Sequence, residues 1–294
     1  MDPRARPYRS VLYIPGSKPR ALEKAKSLAV DAIIFDLEDA VAPSEKTAAR
    51  ETLAKALIEG GYAPRATLVR INGLDTEWWK DDLAAVAPTS PDAILLPKVD
   101  GPAHIAQLAA AMEGHAGLAD TTIWAMIESP LGVLNALGIA QVPRMGGFVV
   151  GTNDLAKDLG VGETPDRMPL WTALQTCVLA ARGGGIAVID GVYNAFRDAE
   201  GLAREAAQGR AMGFDGKSLI HPAQVEVANQ AFRPSPEALD LAARQIAAHE
   251  EAEAAGQGVA VLDGKIVEGL HVTAARQIIA RADAIAALET PCPS

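Results

Sequence analysis

Residues 121–160 read TTIWAMIESPLGVLNALGIAQVPRMGGFVVGTNDLAKDLG, and the punctuation of this stretch decides the fold. Two short apolar runs, residues 123–127 and 148–150, have the length and composition of strands. Each gives way to a turn at a carboxylate. Glu128 stands directly before Ser129-Pro130, and Asp154 follows Gly151 by three residues. If the two strands are parallel neighbours, both acids reach the same rim of the sheet. Two hard oxygen ligands with room left for water suit Mg2+, which keeps several waters and takes one or two protein carboxylates. The alternative is architectural: Glu128 caps a turn and Asp154 N-caps the next helix.

Working outward, the same unit of apolar run, turn and amphipathic segment recurs along the chain. The runs lie at 11–14, 32–35, 67–71, 93–96, 123–127, 148–150, 186–189 and 218–220. They lack strict alternation, as expected of parallel strands covered on both faces. Between them fall helical stripes, among them Ala21, Leu22, Ala25 and Leu28 behind Pro19, and Trp79, Leu83 and Val86 behind Thr76 as N-cap. Eight βα units in about 230 residues predict an α/β fold, a (β/α)8 TIM barrel. An open doubly wound sheet competes, but the chain has no glycine-rich dinucleotide fingerprint, and GSKP at 16–19 is no Walker A sequence. The barrel is expected over residues 1–233. Residues 234–294 are expected to form an appended helix–hairpin–helix module serving as lid and oligomerisation element, with its hairpin turning at Asp263-Gly264 and a frayed TPCPS end.

Composition narrows the function classes. A net charge of −10 disfavours nucleic acid and anionic membrane as partners. No apolar run has the length of a membrane span, and the N-terminus lacks a signal-peptide core. Cys177 and Cys292 form neither a disulfide framework nor a metal spacing, so a reducing, cytoplasmic setting is expected.

In a TIM barrel the chemistry sits at the C-terminal strand ends. Those ends carry Asp36, Glu38 and Asp39, then Arg70 and Asn72, Lys98, Glu128, Asp154, Asp190 and His221. Polar groups beside a core are costly unless paired or functional, so their agreement in position points to a site. Arg70 either binds a substrate carboxylate bidentately or neutralises Glu38 or Asp39. Asp36, Glu38 and Asp39 either order metal-bound water or pair with arginines. Lys98 is expected in an ion pair, and Asp190 and His221 in supporting or turn roles.

Taken together, RSVLYIPG (9–16), DLEDAV (36–41) with Lys46, VRIN (69–72), LPKV (96–99), IESPLG (127–132), GTNDLAKDLG (151–160), GKSLIHPAQV (216–225) and DGKIVEG (263–269) resemble the citrate lyase β-subunit-like and malyl-CoA lyase family of the HpcH/HpaI aldolase superfamily. The resemblance runs the length of the chain. It implies a Mg2+-dependent carbon–carbon lyase acting on short β-hydroxyacyl-CoA thioesters such as malyl-, citramalyl- or citryl-CoA, giving an acyl-CoA and a small oxo acid. It further implies that Glu128 and Asp154 hold the metal, that Arg70 binds the oxo-acid carboxylate, and that Glu38 and Asp39 support the metal's water shell. Arg9, Lys18 and Arg20 would face the CoA phosphates. Glu268, standing where the resembling lyases usually carry aspartate, would act as acid–base group over a neighbouring subunit in a homo-oligomer, a trimer by resemblance. A thioesterase of the malyl-CoA type on the same scaffold, or a subunit of a multi-protein citrate lyase, are the alternatives.

Overall fold

The computed structural model describes residues 6–162 and 164–289; the expected TPCPS end lies outside them. Eight parallel strands close in sequence order: β1 (Ser10–Pro15), β2 (Ala32–Asp36), β3 (Ala66–Arg70), β4 (Ala93–Leu96), β5 (Thr122–Ile127), β6 (Met145–Val150), β7 (Ala187–Asp190) and β8 (Gly216–Leu219), with β8 pairing back onto β1. This is a TIM barrel, as the βα spacing predicts. Alternation sorts each run into two environments. Val11, Ile34, Leu68, Leu95, Trp124, Met126, Val149 and Ile189 fill the interior, while Leu12, Ile33, Phe35, Val69, Ile94 and Phe148 meet the surrounding helices.

Strand β6 starts three residues before its apolar run, and its neighbour explains why. The Trp124 indole lies so close to Gly147 that a Cβ there would meet it at 2.8 Å, so Met145 is followed by two glycines that carry no strand signature. The helix Trp79–Val86 has Trp78, not Thr76, at its N-cap, and Thr76 turns its hydroxyl to the Gly73 carbonyl instead.

The described residues divide into two compact units, Tyr8–Phe232 and the remainder, with residues 6–7 grouped with 233–289. In the second unit the helices Pro236–Ala254 and Gly269–Glu289 pack together around the antiparallel pair β9 (Ala260–Leu262) and β10 (Lys265–Val267). Asp263 and Gly264 turn this hairpin with φ of 49° and 74°, both left-handed as a two-residue turn of this class requires. Ala252, Ala260, Val267 and Val272 form its small core, while Val261 and Ile266, opposite each other, stay exposed.

Candidate active site

The C-terminal ends of β2, β3, β5 and β6 deliver five acids and one arginine to a common rim. Register sets the first contact. Asp36 and Arg70 are Cα partners across β2 and β3, and Asp36 takes the guanidinium bidentately, Nε at 2.8 Å and Nη2 at 2.7 Å. Asp36 also accepts the N–H groups of Glu38 and Ala40, which folds the DLEDAV turn around it. Arg70 Nη1 lies 2.9 Å from Glu38 Oε2 and 3.6 Å from Asp39, and the guanidinium stacks over the Tyr13 ring at 5.0 Å. The Nε–Nη2 edge is therefore taken by Asp36, and any further anion must share the Nη1 end with Glu38. Sequence reasoning offered Glu38 or Asp39 as the neutralising partner; the principal one is Asp36.

The turn is locked from behind. Lys46 Nζ donates to the carbonyls of Leu37 and Glu38 at 2.8 and 2.7 Å, and Asn72 Nδ2 donates to Leu37 O. Burial lowers the Lys46 pKa and raises that of Glu38, the latter countered by Arg70 and Lys98. Lys98 Nζ stands 3.4 Å from Glu38, the ion pair expected of it.

Glu128 is buried, and its Oε1 accepts the Lys98 backbone N–H at 2.7 Å. Its pKa is pushed up to about 7, chiefly by burial and further by Glu38 and Asp154, although the Lys98 N–H and Arg70 oppose the rise. Its carboxylate is seated on Gly151, where a Cβ would come within 2.6 Å of Oε2. Asp154 does not cap its helix. It sits in the first turn of Thr152–Leu159, where the macrodipole favours an anion, and among the described residues its carboxylate has no side-chain partner. A buried carboxylate that resists ionisation next to an unpartnered one calls for a cation. Two oxygen donors without a third ligating side chain among the described residues fit Mg2+, which retains water.

Glu128 and Asp154 stand at the junction of two cavities. One, of about 400 Å3, lies over the barrel axis and is walled by Tyr13, Asp36, Arg70 and Met126. The other, of about 540 Å3, extends outward past Lys98, His104 and Lys157.

The remaining expected residues are not gathered there. Arg9 precedes β1 and so lies at the opposite, N-terminal end of the barrel. It is buried, and its guanidinium grips Asp31 through Nε and Nη2 at 2.9 and 2.8 Å, which removes it as a CoA contact. Lys18 and Arg20 follow β1, on the same rim as Glu128, and are exposed. Asp190 is buried between Arg167 (2.8 Å) and Lys217 (3.0 Å), and Lys217 also meets Glu205 at 2.7 Å. His221 accepts the Ala223 N–H and stacks on Phe196. Both are architectural. Glu268 is exposed between β10 and the last helix, its N–H donating to His271 Nδ1.

Known proteins share this barrel. The description "HpcH/HpaI aldolase/citrate lyase" matches residues 9–222, the whole barrel. The chain belongs to this family. A (3S)-malyl-CoA thioesterase of Cereibacter sphaeroides is 58% identical to this family member over 287 residues, 98% of this chain and 99% of its own. The citrate lyase subunit beta of Leuconostoc mesenteroides is 37% identical, covering 94% and 93%. Among solved structures, the CitE protein of Mycobacterium tuberculosis in complex with magnesium, acetoacetate and coenzyme A superposes with a TM-score of 0.77 at 31% identity, covering 95% of this chain and 99% of its own.

Proposed function

We propose that the protein is a Mg2+-dependent thioesterase that hydrolyses a short hydroxyacyl-CoA such as (3S)-malyl-CoA. The observation that carries this reading is the 58% identity, over nearly the full length, to a (3S)-malyl-CoA thioesterase. It reverses the order expected from sequence, in which carbon–carbon cleavage came first. The two reactions place the same demands on the acyl half, which is why one rim serves either.

Glu128 and Asp154 would hold the metal. When bound, it polarises the substrate oxygen it chelates and orients the acid half. Arg70, fixed by Asp36, would take the far carboxylate through its Nη1 end, converting binding into orientation. Lys18 and Arg20, exposed on the same rim, would meet the CoA phosphates. In hydrolysis, water adds to the thioester carbonyl, the C–S bond breaks, and the water proton passes to the departing sulfur, leaving free hydroxy acid and CoA thiol. We assign the proton-transfer role to Glu268 of a neighbouring copy in a homo-oligomer. It is flanked by the exposed apolar side chains of Val261, Ile266 and Leu270, a surface suited to covering by another chain.

A second reading, lyase chemistry, is favoured by the 37% identity to a citrate lyase β subunit. The test is to supply malyl-, citramalyl- and citryl-CoA with Mg2+ and to follow free thiol and oxo acid separately. Thiol and hydroxy acid without oxo acid supports the thioesterase. Oxo acid with an intact acyl-CoA product supports the lyase. No Mg2+-dependent turnover of any of the three overturns both.

A further inference from the structure

Inside the axial cavity one polar group is left without a strong partner. Tyr13 lies on the inward face of β1, two residues beyond Val11, and its ring carries the Arg70 guanidinium. Among the described residues its hydroxyl meets only the Met126 sulfur, at 3.8 Å. The same sulfur accepts Arg70 Nη1 at 3.5 Å. A thioether is a weak acceptor, so the Tyr13 hydroxyl has no good acceptor here, while Arg70 Nη1 reaches the same sulfur from its pairing with Glu38 at 2.9 Å. Burial raises the Tyr13 pKa well above the usual phenol value, which keeps the hydroxyl a donor at neutral pH.

We propose that the Tyr13 hydroxyl and Arg70 Nη1 form a two-donor clamp for one carboxylate oxygen of the substrate's acid half, with Tyr13 a substrate-binding residue in its own right. The proposal rests on the functional reading above, in which a short hydroxy or oxo acid occupies this cavity. The charge balance explains why a second donor is needed. Arg70 already faces Asp36, Glu38 and Asp39, so its single charge is outnumbered. An incoming carboxylate gains little from it alone, whereas a neutral O–H adds attraction without recruiting a further counter-ion. The clamp also selects: an acyl group ending in methyl at this position would leave the Tyr13 hydroxyl facing carbon, an expensive arrangement for a buried polar group.

Tyr13→Phe isolates the hydroxyl, because it keeps the ring that Arg70 stacks on. The probe is oxalate, titrated calorimetrically into wild type and variant with saturating Mg2+, with thermal unfolding of each metal-free protein as the control for folding. The expected result is Mg2+-dependent binding by wild type and roughly ten-fold weaker binding by the variant, the loss of one hydrogen bond to a charged acceptor. Equal oxalate affinity in the two proteins overturns the clamp and leaves the functional reading standing. Absence of Mg2+-dependent oxalate binding in wild type overturns that reading and the clamp with it. A variant with reduced turnover but unchanged oxalate affinity also overturns the clamp.

Discussion

Lys98 holds Glu128 by its backbone, not by its charge. The N–H donates to Oε1 at 2.7 Å from a left-handed conformation, φ 54°, that a non-glycine residue adopts at a cost of order 1 kcal/mol. The strained turn after β4 thus fixes one carboxylate oxygen and leaves the other for a metal.

That arrangement predicts a pH dependence. The folded, metal-free protein holds Glu128 near 7, above its ordinary 4.5, so the group destabilises the fold above pH 7 and ceases to do so below about 4.5. Mg2+ must displace its proton below pH 7. Calorimetry in buffers of differing ionisation enthalpy is expected to show proton release on Mg2+ binding at pH 6 and almost none at pH 8.5. Metal-free Glu128→Gln is expected to be more stable than wild type at pH 8 by about 1–3 kcal/mol, the difference vanishing at pH 4. Equal stability at both pH values would refute the assignment.

Gly151 is required by its neighbour. A Cβ would meet the Glu128 Cβ at 2.5 Å and Oε2 at 2.6 Å. Gly151→Ala is expected to fold, since φ is an ordinary −90°, but to push Glu128 off its seat. A displacement of about 1 Å costs on the order of 100-fold in rate. Near-normal Mg2+ affinity and turnover would show that the seat is dispensable.

Arg70 cannot be replaced by lysine. An ammonium cannot span both Asp36 oxygens while also reaching Glu38. Arg70→Lys is expected to lose oxo-acid affinity and to unfold at lower temperature. Breaking a buried pair by removing one partner costs about 3–5 kcal/mol, and retaining the charge recovers only part of that. Unchanged kinetics would sink the role given to its Nη1 end.

All eight strands could be read from sequence because parallel strands buried on both faces leave short apolar runs between turns. The two acids offered for the metal could be placed at the rim because Glu128 follows its strand directly and Asp154 stands four residues beyond its own. What hid was decided by direction and register. Arg9, expected by resemblance to face the CoA phosphates, precedes its strand, which sends it to the other end of the barrel. The Asp36–Arg70 pairing depends on the β2–β3 register, which no local pattern states. Tyr13 was lost inside the run at 11–14, where an inward tyrosine looks like one more apolar residue. Lys217 was missed because the run at 218–220 begins one residue after it.

Subunit mixing tests the most exposed assignment. Glu268→Ala and Asp154→Ala are each expected to be inactive alone. Mixed and allowed to exchange, they should recover activity, because an oligomer then contains some sites with both groups intact. No recovery, with exchange confirmed by labelled subunits, would leave Glu268 a surface residue.

The chain of charges from Arg167 through Asp190 and Lys217 to Glu205 has an evolutionary consequence. Asp190 and Lys217 are fully enclosed, and each member neutralises the next. Losing any one strands a buried charge, at about 3–5 kcal/mol, whereas exchanging a set for well-packed apolar residues can be neutral. Drift at these positions must therefore pass through a deep valley or move in concert. Homologous sequences should keep the quartet intact or lack it altogether, with few intermediates surviving.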